Sequence, residues 1–87
     1  MYSILIVDDD TQLLRLMRDV FEIEGWHVTV CGCAEKALSA IEAQSYDCCV
    51  VDLKLPDVVG HSLIEQLKTT LNIPIIALSQ LNRSVES

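Results

Sequence analysis

The chain has 87 residues, one small domain's worth; 51% are hydrophobic and 22% charged, a mix that closes a core and argues against a disordered segment. Thirteen acidic against six basic residues leave a net charge of −7 with no basic run, so neither nucleic acid nor an anionic membrane is an expected partner of this segment. No apolar stretch approaches a membrane span, and Asp8 to Asp10 interrupt the first one too early for a signal peptide; the expected location is the cytoplasm.

The first element is the continuous apolar run Ile4-Leu5-Ile6-Val7, closed by Asp8, Asp9 and Asp10. A helical pattern follows over Thr11 to Glu24, with Leu13, Met17, Val20 and Phe21 on one face and Leu14 and Leu16 flanking it. Asp10 or Thr11 is its expected cap, and Gly25 its expected stop. The second strand is Val28-Thr29-Val30-Cys31, where Thr29 suits an outer strand. The second helix, from Ala34 to Ala43, groups Ala34, Ala37, Leu38 and Ile41. Cys48-Cys49-Val50-Val51 is again continuous and ends at Asp52. The third helix, Gly60 to Leu71, groups Leu63, Ile64, Leu67 and Leu71, and Pro74 then opens the strand Ile75-Ile76-Ala77-Leu78, which ends at Ser79.

The order is β-α-β-α-β-α-β, and three strands lack polar alternation. That combination predicts an α/β fold: a parallel sheet covered by helices on both faces, with right-handed crossovers, in a single unit over residues 1–87. Cys31, Cys33, Cys48 and Cys49 read as free, mostly buried thiols. Their C-x-C and C-C spacings do not match a zinc site, and neighbours on a strand point to opposite faces.

In open α/β sheets the working groups lie outside the carboxyl ends of the strands. Asp8, Asp9, Asp52 and Ser79 all stand there. Asp10 is readily explained as a helix cap, but Asp52 ends an apolar strand, where an unpaired carboxylate is costly. Two carboxylates about 5 Å apart repel by roughly 3 kcal/mol at an effective dielectric of ~20. A divalent cation relieves that repulsion, and an oxygen-only ligand set with room for water suits Mg²⁺.

Three segments carry a family resemblance. Ile4 to Asp10 resembles the first strand and acidic pair of response-regulator receiver domains. Asp52-Leu53-Lys54-Leu55-Pro56-Asp57-Val58-Val59-Gly60 resembles their phosphoacceptor segment, and Ile73 to Ser79 is similar to their fourth strand with its terminal Ser or Thr. The resemblance implies a flavodoxin-like sheet of order 2-1-3-4. It implies that Asp52 accepts a phosphoryl group from a phosphohistidine on a sensor histidine kinase or phosphotransfer protein. It further implies Mg²⁺ at Asp9, Asp52 and the backbone carbonyl of Lys54, with Asp8 acting largely through water, and a switch role for Ser79. Such a module assists its own phosphorylation and is not a stand-alone metabolic enzyme.

The family's last helix, strand and helix, with a lysine at the end of the fifth strand, have no counterpart in these 87 residues. The fourth strand should therefore be an exposed edge, with apolar surface open beside the first helix, and a homodimer or swapped assembly is an expected consequence. Two competing readings follow. One is a truncated receiver that binds partners without being phosphorylated. The other is a haloacid-dehalogenase-like phosphatase fragment using Asp8, Asp10 and Ser79, which leaves Asp52 unexplained and meets Gln12 where its motif wants Thr or Val.

Overall fold

Mainly apolar segments of four or five residues bounded by polar turns form the sheet. In the computed structural model, residues 1–55, 60–70 and 72–78 are described, Gly60 and His61 by backbone alone. The elements are β1 (Ser3–Val7), α1 (Thr11–Ile23), β2 (His27–Cys31), α2 (Ala34–Ala43), β3 (Cys48–Asp52), α3 (Gly60–Thr70) and β4 (Ile75–Leu78). The sheet is parallel throughout, in the order β2-β1-β3-β4. The expected fold class and strand order are therefore observed. β2, with Thr29, is one edge, and β4 is the other.

Alternation along the strands divides the core between the two faces. Leu5, Val7, Cys49 and Val51 meet Ala34 and Ala37 of α2 and Leu63 and Leu67 of α3, together with Tyr46. Ile4, Ile6 and Val50 meet Leu14 of α1, with Met17, Phe21 and Trp26 packed around them. Leu5, Val7, Ala37, Cys49, Val51, Leu63 and Leu67 are fully inaccessible, so this first cluster is the drier one. The predicted inner faces of α2 and α3 are those observed; Leu71 lies outside the described residues.

The expected face of α1 needs correction. Val20 is 51% exposed and Leu13 only half-buried, whereas Leu14, taken as flanking, is the buried residue. The inward stripe is Leu14, Met17 and Phe21, at i, i+3 and i+7. The physical reason lies at the helix's end. Gly25 adopts φ +92°, its N–H donates to the Glu22 carbonyl, and the Trp26 N–H donates to the Phe21 carbonyl. That exit stacks Trp26 on Phe21 with ring centroids 5.6 Å apart, and Tyr2 on Trp26 at 5.2 Å. Anchoring Phe21 inward rotates Val20 outward. Leu16, Val20 and Ile23 then form an exposed stripe on α1, and Ile76 of the edge strand β4 is also exposed.

A reciprocal clasp fixes the amino end of the sheet. The Ser3 N–H donates to Asp47 Oδ2 at 2.7 Å, and the Asp47 N–H donates to the Ser3 carbonyl at 2.7 Å. It aligns the start of β3 with β1, and the ladder Ile4↔Cys48 to Val7↔Val51 follows.

The orientation of α1 has a direct test. Leu14→Ala is expected to lower unfolding stability by about 2–5 kcal/mol in urea melts, and Val20→Ala by less than about 0.5 kcal/mol. Equal losses at the two positions would contradict the observed face.

Candidate metal and phosphoacceptor site

Because β1 and β3 are in parallel register with Val7 beside Val51, the residues that follow, Asp8 and Asp52, emerge side by side at the carboxyl edge. Both are 1% exposed. Asp9 is exposed and faces the solvent side. Carboxylate oxygens of Asp8, Asp9 and Asp52 all lie within 4.8 Å of one another, a separation one ion can bridge.

Each buried carboxylate is oriented by the same local turn. Asp8 Oδ1 accepts the Asp10 N–H at 2.9 Å, and Asp52 Oδ1 accepts the Lys54 N–H at 3.1 Å. The other oxygen of each, Oδ2, is buried without a hydrogen-bond partner among the described residues. Asp10 is the helix cap: its Oδ1 accepts the N–H groups of Gln12 and Leu13 at 3.0 and 3.2 Å. Three consecutive aspartates therefore have three different roles, one turned inward, one exposed and one capping α1.

Burial and neighbouring charge act on the Asp8 carboxyl. Burial pushes the Asp8 carboxyl above its ordinary value, the Asp10 N–H partly offsets this, and the charge of Asp52 raises it further. No arginine or lysine is recorded against Asp8 or Asp52 among the described residues; the groups beside them are backbone N–H donors and carboxylates. Cys49, inside the same sheet, is pushed up to about 12 by burial and by Cys48 and Cys31, so its thiol stays protonated and unreactive.

The two unpartnered Oδ2 atoms mark a candidate cation site. A hard divalent ion satisfies buried carboxylate oxygens that the protein leaves bare, and an all-oxygen set with an open solvent side fits Mg²⁺. Of the residues expected at the site, Asp8, Asp9 and Asp52 are brought together. Lys54 lies two residues beyond β3, and its N–H is the group in contact with Asp52. Ser79 lies outside the described residues, as does the Pro56–Val59 part of the phosphoacceptor segment. A D-x-D spacing is the one sequence signal for the Asp8 turn, and the Ser3–Asp47 clasp leaves none.

The response regulator receiver domain family matches residues 4–86. The chain belongs to that family. This receiver is 32% identical over 80 residues to the response regulator SaeR of Staphylococcus epidermidis, covering 91% of this chain and 34% of SaeR. It is 34% identical over 79 residues to the transcriptional regulatory protein CpxR of Escherichia coli, with the same shares. The receiver thus spans about a third of these curated relatives. Among solved structures it is similar to the receiver domain of Francisella response regulator 1452, with a TM-score of 0.86 and 34% identity over 93% of this chain and 68% of that one. TrrA of Thermotoga maritima, solved in complex with Mg²⁺–BeF, gives 0.83 and 25% over 91% and 70%. The dehalogenase-like reading is set aside by the family match. No helix among the described residues is long and apolar enough to cross a membrane.

The raised Asp8 value fixes a pH dependence. A carboxyl raised in the folded state favours folding below its unfolded value of 3.8, and that contribution is lost as pH rises through the folded value. In metal-free protein the Asp8 contribution to stability is therefore expected to shrink as pH climbs from the low carboxylate range through its raised folded value. Asp8→Asn should remove that slope and raise Tm at neutral pH by about 4–8 °C, for a gain on the order of 1 kcal/mol in a domain of this size. Melts by circular dichroism in chelator check both; a lower Tm in the variant would contradict the repulsion.

Proposed function

We propose that this receiver accepts a phosphoryl group on Asp52, from a phosphohistidine of a sensor histidine kinase or phosphotransfer protein, with Mg²⁺ held by Asp8, Asp9, Asp52 and the carbonyl of Lys54. The observation that carries the reading is the pair of buried, unpartnered Oδ2 atoms on Asp8 and Asp52, within one ion's reach of the exposed Asp9.

The residues perform the chemistry as follows. The Lys54 N–H holds Asp52 by Oδ1, so the carboxylate is fixed in orientation before a donor arrives. An Asp52 oxygen attacks phosphorus, the P–N bond breaks, and the imidazole nitrogen keeps the electron pair and takes up a proton. The product is an acyl phosphate on Asp52. Bound Mg²⁺ supplies positive charge that offsets the oxygens of the transferring group. Asp9, on the exposed side, leaves that approach open to the donor. Ser79 follows Leu78, whose register partner is Asp52, and we assign it the hydrogen bond to a phosphoryl oxygen that shifts when the site is charged. The reading places the chain in the cytoplasm, as a signalling module.

Intact mass after incubation with Mg²⁺ and acetyl phosphate tests this. One added phosphoryl group is expected, lost on hydroxylamine treatment and absent in Asp52→Asn. Asp9→Asn should abolish Mg²⁺-dependent stabilisation, which in the parent reaches about 2.7 kcal/mol at a hundredfold excess over Kd. A folded sample that binds Mg²⁺ yet gains no mass would favour the partner-binding module that is never phosphorylated.

A further inference from the structure

On the flank of α1 beside the β2 edge lies a cavity of about 160 Å³. Its floor is apolar, with Leu14 buried and Val30 half-buried. Its rim carries Thr11, Arg15 and Arg18, which stack along one side of the helix at i, i+4 and i+7. None of Asp8, Asp9 and Asp52 lines it.

The charge of this cavity is opposite to that of the chain. The net charge is −7, yet two of the six basic residues stand together here. Asp19 and Glu22 lie four residues along α1 from Arg15 and Arg18, but neither guanidinium has an ion pair or hydrogen bond recorded among the described residues. Like charges one turn apart repel, and an anion between them removes that unfavourable term.

We propose that this cavity receives a carboxylate on a short hydrocarbon stem, the side chain of a glutamate presented by a protein partner. The guanidinium forks match a carboxylate in two-point geometry, and the Thr11 hydroxyl adds a third donor. The stem's methylenes cover Leu14 and Val30. Phosphate would meet the arginines and leave the apolar floor wet, so the floor selects the carboxylate. A partner is favoured over a free acid because exposed Arg15 and half-buried Arg18 hold a lone ion weakly in water, whereas a docked surface displaces that water.

The test is an NMR titration of the isotope-labelled chain with sodium glutarate at constant ionic strength. Saturable shifts are expected at the Nε–Hε groups of Arg15 and Arg18 and at the Thr11 and Val30 amides. Neutral glutaramide should give none, and inorganic phosphate should bind several-fold more weakly. The double variant Arg15→Gln, Arg18→Gln should lose saturation; Val30→Thr should weaken glutarate and leave phosphate unchanged, which reads the floor separately. A capped tetraglutamate peptide, standing for the protein source, should act on the same residues at least as tightly as glutarate. Shifts that never saturate, that spread equally to Lys36, Lys54 and Lys68, or that are equal for phosphate and glutarate would overturn the proposal. So would glutarate binding with tetraglutamate excluded, which marks a site for a free acid. The readout needs neither Mg²⁺ nor a phosphodonor, so it stands apart from the phosphoacceptor reading.

Discussion

The register between β1 and β3 is the constraint on which the site depends. Ile4↔Cys48 through Val7↔Val51 align two strands whose side chains are apolar on both faces. A slip of one residue would send Leu5 and Val7 to the α1 side and Ile4 and Ile6 to the α2 and α3 side, away from the partners that bury them. The apolar core therefore holds the register against a term that opposes it. Carboxylates within 4.8 Å repel by at least roughly 3 kcal/mol at an effective dielectric of ~20, and burial of Asp8 and Asp52 adds to the cost. Core packing keeps together two charges that would otherwise separate.

A single local device, used twice, turns that proximity into a site. Asp8 and Asp52 each accept at Oδ1 the N–H two residues further on, from Asp10 and Lys54. Each Oδ2 is left buried and bare. One of the two turns continues directly into the cap of α1, because Asp10 donates its N–H to Asp8 and accepts from Gln12 and Leu13. The inward Asp8, the outward Asp9 and the start of α1 are thus one hydrogen-bonded unit.

The sequence made most of this fold legible because its signals are local. Continuous apolar runs mark the buried parallel strands, Asp10 and Gly25 mark the ends of α1, and Asp9 and Asp52 stand at strand tips. The face of α1 was not legible in the same way. Leu13, Leu14, Leu16, Met17, Val20, Phe21 and Ile23 crowd one helix, so periodicity alone admits more than one inward stripe. The choice is made by Trp26 closing on Phe21 beyond the helix end, a contact that spacing does not encode. The clasp of Ser3 with Asp47 joins residues 44 apart and leaves no local trace. Likewise, a run of three aspartates shows acidity but not which of them turns inward; that follows only once Asp10 is committed to the helix.

The same arrangement sets the carboxyl edge apart from the rest of the sheet. Cys49 is a stronger nucleophile than a carboxylate once ionised, and it lies in the cluster packed against α2 and α3. Its thiol is held up to about 12 by burial with no compensating donor, so it carries no charge at neutral pH. Asp52 is as deeply buried, but it stands at the strand's end, where a backbone N–H orients it and an exposed carboxylate adjoins it. Position along β3, three residues from Cys49 to Asp52, thus separates a thiol enclosed in the core from a carboxylate at the sheet's carboxyl edge. The hydrophobic ladder supplies the stability that the carboxylate pair removes, and the acidic site lies where those two opposing terms meet.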